Sequence, residues 1–339
     1  MGTATQLTDF SDLSVDLQNR GRETTGIAAT ENQAKRYINI ALHDMHVGRA
    51  EIFPWAERSA VLLTQPRYTT GTITATKGST TIAGDSTLWD TANDFGNNNM
   101  QVGGKITVAG SLDVYEISAI ASDISATLTG KFIDDTVTDG TYVYFEDEYT
   151  LAGDFLRPID QQNFSDSVPI ALISRTEFRK KYPSNSVPGH PLVGTIIDKG
   201  FGSSTTPVRK IRFHPPPDAV FNLPYSYATS NLAVDSSGTE KTQLVLDSDE
   251  PIVPLRYRHA IVFHALYHWY RDKKNDQRSK EAKIEYEQVL GRIADDTEIG
   301  GRHASISPRR REYIRRASRP WSGGRTRFET GTEFDRMLI

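Results

Sequence analysis

The chain of 339 residues contains no cysteine, which excludes disulfides, thiol nucleophiles and thiolate metal sites together. It also lacks any apolar run near the roughly 18–20 residues that a bilayer crossing needs. The opening residues, MGTATQLTDFSDLSVDL, carry neither a basic stretch nor an apolar core, so we expect no signal peptide and no membrane association. No phosphate-cradling loop is present. ATKGST has a glycine and a lysine without the order or spacing of a P-loop, and its strand-period surroundings predict a hairpin turn. Nor does any serine–histidine–aspartate order define a nucleophile and its base. The expectation is a protein with no catalytic residue, no cofactor and no enzymatic activity.

What the chain does have is charge, unevenly placed. Its formal net charge is −4. From Arg302 to the end there are ten arginines, no lysine and four acids, whereas Gly71–Phe145 holds three lysines, no arginine and nine acids. Segments of opposite sign and texture suggest different surroundings in a working assembly.

Hydrophobic periodicity gives an α+β reading. A short helix is expected from about Ser11. A longer one follows, with Thr30 as N-cap and Ala34, Tyr37, Ile38, Ala41, Leu42 and Met45 on one face. EIFPWAERSAVLL breaks at Pro54 and becomes extended. From Gly71 to Phe145 the period changes to two: Ile73 and Ala75; Ile106 and Val108; Tyr115, Ile117 and Ala119; Ile124, Ala126 and Leu128. Turn residues at Lys77-Gly78, Ala83-Gly84-Asp85 and Gly96–Asn99 separate these strands, which predicts a small all-β sandwich or barrel. Ile73–Ala75 and Tyr142–Phe145, at its two ends, are expected to pair. Proline-punctuated strands come next. Two helices follow: a buried one in PLRYRHAIVFHALYHWYRDKK, apolar on most sides, and an amphipathic one through Ala282, Tyr286, Val289, Leu290 and Ile293, fraying at Gly291 and Gly300. The domain reading is therefore a helical body with short strands in two parts, 1–70 and 146–300. The β-module 71–145 is inserted between them, and an extended arm, 301–339, follows.

His264 and His268 stand at i, i+4 with His259 nearby, the spacing of two zinc ligands. Ala-Leu-Tyr lies between them, without a catalytic glutamate, and we read them as packed or interfacial histidines rather than a metal site. Acidic clusters at Asp134-Asp135, Glu146-Asp147-Glu148 and Asp247–Glu250 have no calcium-loop pattern and read as solvated charge. HPPPD at 214–218 reads as a rigid turn.

The C-terminal segment is the strongest signal outside the core. PRRREYIRRASRPW interleaves arginine with Tyr313 and Trp321, and RFETGTEFDRMLI regains Phe328, Phe334, Met337, Leu338 and Ile339 after two glycines. Arginine forks bind phosphates or carboxylates, so nucleic-acid contact is one reading, and a solvated tail is another. The apolar cluster at the end favours a third: an arm that becomes ordered on a partner protein.

In the order ENQAKRYINIALHDM, YTLAGDFLRPI, VRKIRFHPPPDAVFNLPYSY and VPLRYRHAIVFHALYHWYRDKKNDQRSKEAKIEYEQVL, the chain resembles the head-to-tail adaptor (connector) proteins of short-tailed bacteriophages. The resemblance covers about Thr30–Tyr68 and Tyr149–Arg292. The inserted module resembles the Ig-like β-sandwich inserts of phage structural proteins. The resemblance implies a structural virion protein of the capsid vertex, made in the host cytoplasm and assembled as a homo-oligomeric ring, usually of twelve copies. Such a ring would join the portal protein to tail nozzle or tail-tube proteins and extend the channel for packaged double-stranded DNA. It also implies that the arm embraces the portal. Arg309, Arg310, Arg311, Arg315 and Arg316 would then meet carboxylates, and Trp321, Phe328, Phe334 and Leu338 would serve as apolar anchors. Another neck or tail-tube component, or a nucleic-acid-binding protein using the arginine-rich tail, are the alternatives.

Overall fold

The computed structural model describes residues 6–23, 25–47, 53–111, 113–159, 170–183, 187–201 and 207–305. Helix and strand hold similar shares, 30% and 31%, so the chain is α+β as its periodicities predict. The backbone divides into two compact units: Met1–Ala50 with Leu232–Ile339, and Glu51–Asn231.

The first unit opens with two helices. In α1 (Phe10–Gly21) Asp9 caps the start, its carboxylate accepting from the Asp12 amide at 2.8 Å, and Phe10, Leu13 and Leu17 form the buried stripe. In α2 (Ala28–His46) the buried face is Ala34, Ile38, Ala41, Leu42 and Met45, as expected, with Tyr37 half-buried at its edge. Thr30 is not the cap: the helix starts two residues earlier, behind Ile27, with no side-chain cap.

The second unit contains two β-structures. Strand β1 (Glu57–Leu63) precedes the module, whose strands are β2 (Thr72–Ala75), β3 (Thr81–Asp85), β4 (Lys105–Val108), β5 (Tyr115–Ser122), β6 (Ser125–Leu128), β7 (Val137–Gly140) and β8 (Tyr142–Phe145). These seven form one antiparallel sheet in the order β7-β2-β3-β6-β5-β4-β8. Its two edge strands are separated only by Thr141, so the sheet must roll round its contents. Those contents are a single core, with Trp89, Phe132 and Tyr144 among its largest buried side chains. β5 turns the corner. Its first half pairs with β4 and its second with β6, and the register shifts between Ile117 and Ala119. That shift overturns a strict alternation: Ala119 is exposed and Ile120 packs against the core instead. Ile124 is likewise exposed, in the β5–β6 turn.

Two other expectations for the module fail. Ala83-Gly84-Asp85 lies inside β3 and does not separate strands; a Cβ at Gly84 would fall 2.2 Å from Thr87 Oγ1, so this glycine marks close packing. Ile73–Ala75 pairs with β3 and β7, not with Tyr142–Phe145. The two ends of the module meet one step further out, where Tyr68 and Tyr144 exchange backbone hydrogen bonds of 2.9 and 2.8 Å.

Beyond the module lie β9 (Glu148–Thr150), β10 (Phe155–Pro158), β11 (Ala171–Leu172), the short helix α3 (Arg175–Lys181), β12 (Val193–Phe201), β13 (Pro207–His214) and β14 (Asn222–Thr229). A three-stranded sheet, β1-β14-β10, and a four-stranded sheet, β11-β12-β13-β9, share one core built on Ile170, Ile211, Phe213, Leu223 and Phe155. This part of the body is thus a β-sandwich with strands of up to nine residues, where the sequence suggested a helical body with short strands.

The chain then returns to the first unit through β15 (Ala233–Val234), β16 (Glu240–Lys241) and β17 (Glu250–Pro251), followed by α4 (His259–Asp272) and α5 (Asp276–Ser305). α4 packs against α1, α2 and α5, which explains why it is apolar on most sides. At Gly21 the α1 backbone approaches Trp269 of α4 so closely that a Cβ would lie 3.1 Å from its Nε1. α5 buries Ala282, Tyr286, Val289, Leu290 and Ile293 as expected. It does not fray at Gly291 or Gly300; it runs to Ser305, so the segment expected to begin an extended arm at 301 begins as helix.

Candidate functional sites

The residues assigned to the arm from sequence, Arg309, Arg310, Arg311, Arg315, Arg316, Trp321, Phe328, Phe334 and Leu338, lie outside the described residues. Two clusters of functional side chains occur within them, one in each unit.

In the second unit a cleft of about 290 Å³ opens at one side of the sandwich. β1 and β9, one edge strand of each sheet, both line the cleft, as do Gln101–Gly104 of the module and Lys210 of β13. Apolar Val61, Leu63 and Val102 stand exposed at its walls, and Glu146 lies in its lining. Burial pushes the Glu146 carboxyl up to about 7, helped by neighbouring Asp147 and opposed by the Tyr144 hydroxyl, which donates to it at 2.9 Å, and by Lys210. The same carboxyl raises the Tyr144 and Tyr149 hydroxyls, which burial has already moved well above the usual phenol range. Gly104 is required here, because a Cβ would sit 2.1 Å from the Tyr144 hydroxyl. The group chemistry is that of a carboxyl able to take up a proton near neutrality.

Asp147, next in sequence, does not line the cleft. Its side chain is fully buried and accepts from Lys105 Nζ of the module at 2.6 Å and from Arg212 Nε of β13 at 2.7 Å. This carboxylate fastens the rolled sheet to the sandwich. Reading Glu146-Asp147-Glu148 as solvated charge is therefore wrong at Asp147: a carboxylate flanked by two cations from distant strands has the partners that burial demands.

In the first unit, His264 and His268 on α4 meet Asp44 from the last turn of α2. The distances from Asp44 Oδ2 are 3.9 Å to His264 Nε2 and 3.4 Å to His268 Nε2. The His264 ring stacks on Tyr286 at 4.2 Å, and His268 stacks on Tyr37 at 6.4 Å. Burial and the nearby Arg271 guanidinium lower the His268 pKa, against the pull of Asp44. Both histidines pack against aromatic rings, and both reach the same carboxylate. What sequence reasoning missed is Asp44, which no local spacing connects to a helix more than two hundred residues away. His46, two residues on, is buried and lowered to about 4 by that burial alone.

The remaining acidic clusters are structural in different degrees. Asp249 is fully buried, accepting from the Val245 and Leu246 amides at 2.8 Å each and from Lys241 at 3.2 Å, which corrects the solvated reading there as well. Asp134 accepts from the Tyr115 hydroxyl at 2.6 Å, while Asp135 is exposed beside Lys77. His214 ends β13 and stacks on Tyr182 at 4.1 Å; the prolines that follow bend the chain, and Pro217 bridges to Gly189. Among the described residues no helix is long and apolar enough to cross a membrane.

Comparison with known proteins returns one family. The model of the family described as SU10 adaptor protein matches residues 134–312, which include β9 to β14, both C-terminal helices and the first arginines of the C-terminal segment. No curated protein sequence matches the chain.

Proposed function

Because this chain belongs to the SU10 adaptor protein family, a family of phage adaptors, we propose that it is a structural component of the virion that links head to tail. In this reading it forms a homo-oligomeric ring, twelve-fold under a twelve-fold portal, that binds the portal on one side and tail proteins on the other. The packaged DNA passes through the channel without any chemical step by the protein. The observation that carries the reading is the family match itself. It spans the proline-punctuated strands after the module, the buried helix α4 and the amphipathic helix α5, the later three of the four segments on which the sequence resemblance rests; the α2 segment lies outside it.

A closed ring requires each subunit to offer two different faces that meet heterologously. The C-terminal segment supplies the portal contact in this account, with Arg309, Arg310, Arg311, Arg315 and Arg316 on portal carboxylates and Trp321, Phe328, Phe334 and Leu338 in apolar pockets. The module Gly71–Phe145 is an insertion into the adaptor body, of the small all-β kind to which Ig-like inserts belong. One feature supports this: its two ends join through Tyr68 and Tyr144. Insertions are tolerated where entry and exit lie close together.

The test is cryo-electron microscopy of the protein mixed with its cognate portal. A ring of this chain on the portal supports the reading; binding to bare DNA with steep salt dependence and none to the portal would replace it with a nucleic-acid-binding function.

A further inference from the structure

Two imidazoles from α4 and one carboxylate from α2 converge on a single point in the helical unit. One ligand atom from each of Asp44, His264 and His268 lies within 4.8 Å of the other two. A tetrahedral zinc ion with bonds of about 2.0–2.1 Å holds its ligand atoms about 3.4 Å apart. The Asp44–His268 edge, 3.4 Å, already has that length, and the Asp44–His264 edge is 3.9 Å. The remaining edge closes by a side-chain adjustment of about 1.4 Å or less. We propose that Asp44, His264 and His268 form a binding site for a divalent transition-metal ion of the zinc class, which ties the end of α2 to α4.

The ligand chemistry is suitable. Two neutral imidazoles and one carboxylate make a borderline nitrogen–oxygen set, which suits zinc and its neighbours rather than calcium or magnesium. The helix fixes the i, i+4 spacing of the histidines, and the Tyr286 and Tyr37 rings stacked on them restrain their orientation. The Asp44 side chain is 43% exposed, so water reaches the fourth position from that side.

One contact competes with the ion. Arg271 Nη2 lies 3.3 Å from His268 Nδ1. A metal on Nε2 requires the proton on Nδ1, where an arginine donor is unwelcome. The guanidinium has an alternative place: it already lies over the Tyr267 ring at 5.3 Å and reaches the Tyr267 hydroxyl at 3.4 Å. Loading the site therefore turns Arg271 away from His268, and removing Arg271 should tighten metal binding.

The experiment uses the full, untagged chain, stripped with a chelator and titrated calorimetrically with Zn²⁺. One equivalent should bind with a dissociation constant of about 1 μM or below, and Co²⁺ should give the intense visible bands of a tetrahedral site. His264→Gln, His268→Gln and Asp44→Asn should each weaken binding about tenfold or more with circular dichroism unchanged, while Arg271→Gln should strengthen it. Three results would overturn the site: no binding below about 1 mM by the wild type, undiminished affinity in His268→Gln, or a loss that follows His43→Ala, the exposed neighbour, instead.

Discussion

Asp147→Asn isolates the joint between the module and the sandwich. The carboxylate is fully buried, and the side chains it pairs with, Lys105 and Arg212, are 13% and 29% exposed. Removing one partner from a buried ion pair costs about 3–5 kcal/mol, because the other charge stays behind without compensation. Arg212 can recover some hydration through its exposed part, so the lower end, about 3 kcal/mol, is expected for this triad. For a unit of this size each kcal/mol lowers the midpoint by about 2–4 °C, which gives about 6–12 °C. Differential scanning calorimetry and urea unfolding at neutral pH measure both quantities. Lys105→Met in the Asp147→Asn background completes a double-mutant cycle, and the coupling should be well above 1 kcal/mol if the pair is desolvated. A total loss below about 1 kcal/mol would refute the reasoning, since that is the value of a solvated surface pair.

The two units should respond oppositely to pH. Glu146 is protonated more readily in the fold than in the unfolded chain, so its contribution is complete below about 4.5 and disappears as pH rises through about 7. His46 is held neutral, so its contribution is complete above 6.5 and disappears as pH falls toward about 4. Urea midpoints from pH 4 to 8 should show both trends, with Glu146→Gln removing the loss on the alkaline side; a wild-type slope unchanged in that variant would exclude Glu146 as its source. Replacing Gly71–Phe145 by a Gly/Ser linker should leave a soluble body that melts cooperatively. It should be weakened by loss of Lys105, of the Asn93–Gln65 hydrogen bond and of the Tyr68–Tyr144 bridge, and a missing cooperative transition would show a shared core. Deleting Arg325–Ile339 should abolish co-sedimentation with portal rings, and Trp321→Ala or Phe334→Ala should each weaken it about tenfold, or 1.4 kcal/mol. Full portal affinity after the deletion would end the docking-arm reading.

The parts of the fold that were legible in sequence are those set by local period. The faces of α2 and α5 and the inward residues of β2 and β4 follow from spacing alone, because each helix or strand buries one side against a neighbour. Where a bulge enters, the pattern misleads: Ala119 continues the alternation on paper, but the register shift gives its place to Ile120. Gly84 looked like a turn because glycine usually signals one, whereas here it admits the Thr87 side chain against a strand. Charge was the least legible quantity. Asp147 and Asp249 sit in acidic runs that read as solvated, and only the fold supplies the cations and amides that let them be buried. Asp44 is the same lesson for the candidate metal site. The histidine pair is a local spacing, but its third member comes from a different helix.

The central claim is that this chain assembles on a portal, and a mass measurement tests it most directly. Native mass spectrometry of the purified protein, alone and then mixed with its cognate portal, reports subunit number without any assumption about contacts. The account predicts monomers or weak oligomers alone, because the contacts that close the ring are completed on the portal. It also predicts a closed ring, of twelve copies on a twelve-fold portal, in the mixture. A stable closed ring at about micromolar concentration without the portal would contradict the assembly order, and no complex with the portal at all would contradict the adaptor function.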